Sequence, residues 1–153
     1  MTTGTMPFEI ILAEDNAADI GLVREALKQH NVTCELRVIR DGAEAMALID
    51  NLATDPNAPR LDLLLLDLHL PKHGGQDILK RFRSIERYAQ TPVIMLTGLD
   101  SSVIEEMKVV QPALSYFQKP GTLDEFIELG AMIRRVLEAG GKLDPEKAVG
   151  GAE

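Results

Sequence analysis

Apolar residues recur along this chain in two alternating rhythms. Short runs bounded by turn residues read as buried strands. They are Phe8 to Ala13, Val32 to Ile39, the leucine run Leu61 to Asp67, Pro92 to Thr97, and Ala113 to Phe117. Between them, apolar positions return every three or four residues, the spacing of one helix face. Ile20, Val23 and Leu27 predict a helix from Ala17 to His30. Asp15 and Asn16 are suited to its N-cap, and Asn31 to its C-terminal end. Ala45, Leu48, Ile49 and Leu52 mark a second helix. A third starts near Gly75 and turns Ile78, Leu79, Phe82 and Ile85 inward. Val103, Met107 and Val110 suggest a short fourth, stopped by Pro112. Leu123, Phe126, Ile127, Gly130 and Leu137 line one face of a fifth. A second stripe on that helix, Leu129, Met132 and Val136, is left for an outward contact.

Strands alternating with helices in this way predict an α/β fold, because parallel strands need crossover connections. Right-handed crossovers place helices on both faces, giving a doubly wound five-stranded parallel sheet. The leucine run is the expected centre of that sheet. It is too short for a helix, and Pro71 with Gly74 and Gly75 closes it. One domain is expected over 8–138, with a flexible leader at 1–7 and a disordered Gly-rich tail at 139–153.

Composition narrows the function. The 153 residues are 45% hydrophobic and 26% charged, values of an ordinary globular domain. A formal charge of −8 argues against nucleic-acid binding, which needs a basic footprint. No apolar run approaches the length of a membrane span, and the N-terminus lacks the features of a signal peptide. The lone cysteine, Cys34, cannot form an intramolecular disulfide and is expected in the core. A cytoplasmic protein is the expectation.

The chemistry lies at the strand ends. Strand one ends at Glu14 and Asp15, strand three at Asp67, strand four at Thr97, and strand five just before Lys119. In a parallel sheet these ends share one edge, where ligands gather. Clustered carboxylates repel each other unless a cation lies among them. Oxygen ligands favour a hard ion, most simply Mg2+. A hydroxyl and an ammonium beside it suit the oxygens of a phosphoryl group. Asp67 would then be the nucleophile that becomes an aspartyl-phosphate.

These residues, in this order, resemble the receiver domain of two-component response regulators, over roughly Phe8 to Leu137. Glu14-Asp15 is similar to the family's acidic pair and Asp67 to its phospho-acceptor. Pro71 and Gly75 match the loop behind the acceptor. Thr97 resembles the switch hydroxyl, Tyr116 the switch aromatic, and Lys119-Pro120 the lysine followed by a cis proline. The resemblance implies a flavodoxin-like receiver fold of strand order 2-1-3-4-5. It implies Mg2+ on Asp15, Asp67 and the backbone carbonyl of His69, with Glu14 acting through water. It also implies that the His69 side chain and Leu99 flank the path of attacking water and set the lifetime of the phosphorylated state.

The expected partner is a sensor histidine kinase, and the protein itself is expected not to be an enzyme. The expected form is a receiver with no output domain that signals through its own surface, as a homodimer on Leu129, Met132 and Val136. The segment EDNAADIGLVREAL and the Pro-containing loop before strand three resemble the small regulators paired with bacterial phytochromes. A pseudo-receiver that no longer takes phosphate is the alternative. A haloacid-dehalogenase-like phosphatase would need an acid where His69 stands. A flavodoxin-like FMN carrier would need a phosphate-cradling loop where AEDNA stands.

Overall fold

The computed structural model describes residues 7–58, 60–72, 74–98 and 113–140. Five strands form one parallel sheet of order β2-β1-β3-β4-β5: β1 (Phe8–Ala13), β2 (Cys34–Ile39), β3 (Leu63–Asp67), β4 (Val93–Thr97) and β5 (Leu114–Gln118). The expected fold class and strand order are both present. The helices are α1 (Ala17–Gln29), α2 (Gly42–Thr54), α3 (Gly75–Arg83) and α4 (Leu123–Gly140), with a 3₁₀ turn at Glu86–Tyr88. The short helix expected around Val103 to Val110 lies outside the described residues, as do Leu99, His73, the leader and nearly all of the tail.

Both sheet faces are covered, so the central strands run apolar at consecutive positions, Ile10 to Ala13, Leu63 to Leu66 and Val93 to Leu96, rather than at every second one. Ile11, Leu64, Leu66, Val93 and Met95 face α2 and α3, where they join Ala45, Ile49, Ile78 and Phe82. Ile10, Leu12, Leu63, Leu65, Ile94 and Leu96 face the other way and join residues of α1 and α4. Cys34, Leu36 and Val38 pack on this second face, as their alternation predicts.

Helix α1 begins where the side chain of Asn16 accepts from the N–H of Asp19, and it ends at Gln29 with His30 as its cap, after which Asn31, at a φ of 55°, turns the chain away. Asp41 caps α2 in the same way as Asn16, by accepting from the N–H of Glu44.

The C-terminal helix, fifth in the sequence reading and α4 here, overturns one expectation. Leu129 is fully buried and Ile133 with it, and Met132 and Val136 pack against the same cluster. That stripe had been reserved for a homodimer on the premise that only the sheet could cover the helix. Helix α1 lies beside α4 on the same sheet face, in a cluster shared with Ile20, Val23 and Leu27, and covers it instead. Gly130 lets the two helices approach: a Cβ there would collide with the Ala26 carbonyl oxygen and the His30 ring. Arg134 Nη1 then donates to the His30 carbonyl at 2.6 Å, satisfying an orphan acceptor at the end of α1. Conversely Leu123, expected inside, is 55% exposed.

Candidate functional site

The C-terminal ends of β1, β3, β4 and β5 converge on one edge, as the parallel register requires. Asp67 stands opposite Leu96, one residue before Thr97, and Thr97 stands opposite Gln118, one residue before Lys119. The Lys119 N–H donates to the Thr97 carbonyl at 2.6 Å, tying the lysine's backbone to the end of β4. Carboxylate oxygens of Glu14, Asp15 and Asp67 lie within 4.8 Å of one another. Glu14 and Asp67 are buried and Asp15 is exposed, so the cluster opens to solvent on one side. Thr97 is fully buried at its strand end.

Asp67 is held from two directions. The backbone N–H of His69 donates to Oδ1 at 2.9 Å, while Lys119 Nζ stands 3.7 Å from Oδ2. The His69 imidazole is exposed to solvent beside the acceptor. Behind Asp67, the N–H of Gly75 donates to the Leu68 carbonyl at 2.9 Å. A Cβ on Gly75 would come within 2.8 Å of the Asp67 carbonyl oxygen and the Leu68 Cα, so the start of α3 needs glycine to seat against the acceptor loop. The structural part assigned to Gly75 is thereby explained. Tyr116 is half-buried on the α2–α3 side of β5, next to Met95 in register.

One expected detail is absent. The described residues contain no cis peptide, so Lys119-Pro120 is trans. The trans form is the lower-energy isomer of an X-Pro bond by about 0.5–1 kcal/mol. The flexible lysine stem reaches the acids without the isomer that the family resemblance had implied.

The site's charge is unbalanced. Lys119 Nζ lies 2.9 Å from Glu14 Oε1 and 2.8 Å from Asp19 Oδ2. One ammonium therefore serves three carboxylates, counting Asp67. The contact with Asp19 is an aligned hydrogen bond. Glu14 Oε1 is buried and makes an ion pair with Lys119 but no aligned hydrogen bond. Burial pushes the Glu14 carboxyl up to about 7; Lys119 pulls it back and the neighbouring Asp67 charge adds to the rise. Burial disfavours the charged form of Lys119, yet its bonds to Asp19 and Glu14 outweigh that and hold it protonated. Three clustered carboxylates with one ammonium among them leave a surplus of negative oxygen that a hard divalent cation would satisfy, so the donor set fits a metal.

Asp19 is the site residue that the sequence reading missed.

A flavodoxin-like sheet carrying this edge defines a class of phospho-acceptor domain, and comparison with known proteins agrees. The family model for the response regulator receiver domain matches residues 10–130. The chain belongs to the response regulator receiver family. Response regulator Rcp1 of Synechocystis sp. is 41% identical over 91 residues, covering 60% of this chain and 62% of Rcp1. The chain spans about half the length of several longer transcriptional regulators that it also matches. The crystal structure of the phosphorylated cyanobacterial phytochrome response regulator RcpA superposes with a TM-score of 0.73 at 32% identity, covering 88% of this chain and 96% of RcpA. The Mn2+-bound form of Rcp1 superposes with a TM-score of 0.67 at 32% identity, over 84% of this chain and 92% of that one. Among the described residues no helix is long and apolar enough to cross a membrane.

Proposed function

We propose that the protein receives a phosphoryl group on Asp67 from a sensor histidine kinase, in a reaction that needs Mg2+. The observation that carries this is the placement of Asp67 within 4.8 Å of Glu14 and Asp15, with Lys119 Nζ 3.7 Å from it on the open sheet edge. A carboxylate oxygen of Asp67 attacks phosphorus as the phosphorus–nitrogen bond of a phosphohistidine breaks, and the bonding pair stays on the imidazole nitrogen. Asp15, Asp67 and Glu14 would hold the Mg2+, which supplies charge neutralisation for the transferring group. The chain's own residues do the remainder. Lys119 offers an ammonium to the phosphoryl oxygens. The His69 N–H fixes the rotamer of Asp67, and Thr97 stands at the strand end where a hydroxyl can meet a phosphoryl oxygen.

The reading is that of a signalling acceptor rather than an enzyme acting on other molecules, at work in the cytoplasm. Likeness to RcpA and Rcp1 supports a kinase of the phytochrome type as donor. The intact acids and Lys119 weigh against a pseudo-receiver. Of the stripe expected at a homodimer contact, only Met132 and Val136 keep exposed surface. A second copy would therefore have to meet those two rather than Leu129. The direct test is beryllofluoride, a phosphoryl mimic, titrated in saturating Mg2+. The wild type is expected to bind it and Asp67→Asn to lose binding while keeping a cooperative melting transition. Equal binding by both proteins would overturn the assignment.

A further inference from the structure

Lys119 is better bonded to an acid outside the metal cluster than to the acceptor it is meant to assist. Its Nζ sits 2.8 Å from Asp19 Oδ2, in an aligned hydrogen bond, 2.9 Å from Glu14 Oε1, and 3.7 Å from Asp67 Oδ2. Asp19 does not belong to the carboxylate cluster of Glu14, Asp15 and Asp67. It is also not free to follow the lysine. Its own N–H is held by Asn16 Oδ1 at 2.9 Å in the first turn of α1, so its backbone is set by the helix cap. Both side chains are largely shielded, with 18% of Lys119 and 22% of Asp19 exposed, so water screens the pair only in part.

We propose that Asp19 is a positioning residue that draws the Lys119 ammonium away from Asp67. The proposal rests on the phospho-acceptor reading above and adds to it a competition for one cation. With Lys119 drawn to Asp19, the ammonium competes less closely with a metal ion for the Asp67 carboxylate. Engagement of a phosphoryl group on Asp67 must then loosen the Asp19 contact. Asp19 thus favours the metal-loaded, unphosphorylated site and opposes the phosphorylated one. A purely structural acid at a helix start would affect neither ligand selectively.

The test measures two affinities that the proposal drives in opposite directions. In Asp19→Asn, Lys119 moves toward Asp67. Mg2+ affinity is expected to fall by about two- to fivefold and beryllofluoride affinity in saturating Mg2+ to rise by about the same factor, the range of a partly exposed ion pair. Asp19→Glu, which keeps the charge, is expected to retain most of the wild-type balance. In a Lys119→Ala background, adding Asp19→Asn is expected to leave beryllofluoride affinity unchanged, because the lysine carries the effect. A melting-temperature cycle on the same four proteins without metal is expected to show that Asp19 and Lys119 are coupled. Glu25→Gln, an acid on the same helix bonded to Gln29, serves as the control for net charge. Unchanged affinities in Asp19→Asn, a shift of both in the same sense, or an effect that persists without Lys119 would overturn the proposal. Failure of the wild type to bind beryllofluoride would instead overturn the phospho-acceptor reading, and the proposal with it.

Discussion

At the scale of single residues, Glu14 is the most perturbed acid of the edge. Its folded-state carboxyl, pushed up to about 7, lies above the ordinary value of 4.5, chiefly because it is buried. Between those values the folded protein holds a proton that the unfolded chain has released. Without divalent cations, this residue's contribution to stability is therefore fully present below pH 4.5 and is lost as pH rises toward 7. The slope is at most about 1.4 kcal/mol per pH unit. Urea denaturation in chelator at several pH values is expected to show this decline in the wild type, and a smaller one in Glu14→Gln. Identical pH profiles in the two proteins would count against it. The acids at the strand ends were legible in the sequence because each closes an apolar run. Asp19 was not legible, because its partner stands 100 residues away and only the folded sheet brings them together.

Among elements, the α1–α4 contact decides the most. Gly130 sits inside a helix, where alanine would ordinarily be favoured by about 1 kcal/mol. Here the added methyl meets the backbone of Ala26, which cannot swing aside, as well as the His30 ring. Overpacking of that kind costs about 1–3 kcal/mol, so the clash outweighs the propensity gain. Gly130→Ala is expected to lower stability by up to about 2 kcal/mol net, read by thermal or urea melting. A more stable variant would show that the two helices separate readily. The same contact explains why the periodicity of α4 misled. Two apolar stripes on one helix say that two surfaces cover it, and they do not say whether the second belongs to a partner or to the chain's own α1.

For the whole molecule, the sheet edge links stability to ligand. The acids of the cluster are fixed at the ends of β1 and β3, two of the three inner strands of the sheet, so their repulsion acts against the folded state. A cation that binds only the folded site stabilises by mass action, about 2.7 kcal/mol at a concentration one hundred times its dissociation constant. For a domain of this size that is roughly 5–10 °C of melting temperature. Mg2+ is expected to give such a shift in the wild type and a much smaller one in Asp15→Ala, measured by calorimetry with and without chelator. An equal shift in both proteins would move the metal elsewhere.

Apolar rhythm determined the number of strands, the parallel sheet and the edge on which Glu14, Asp15, Asp67, Thr97 and Lys119 meet, because period and punctuation are local properties of a chain; the strand order came with the family resemblance. Which surface covered Leu129 and how Lys119 divides itself among Asp19, Glu14 and Asp67 were decided only by the tertiary structure. Each depends on distances between residues far apart in sequence. Burial then sets the strength of every charge involved, and burial is a property of the packed molecule rather than of any segment.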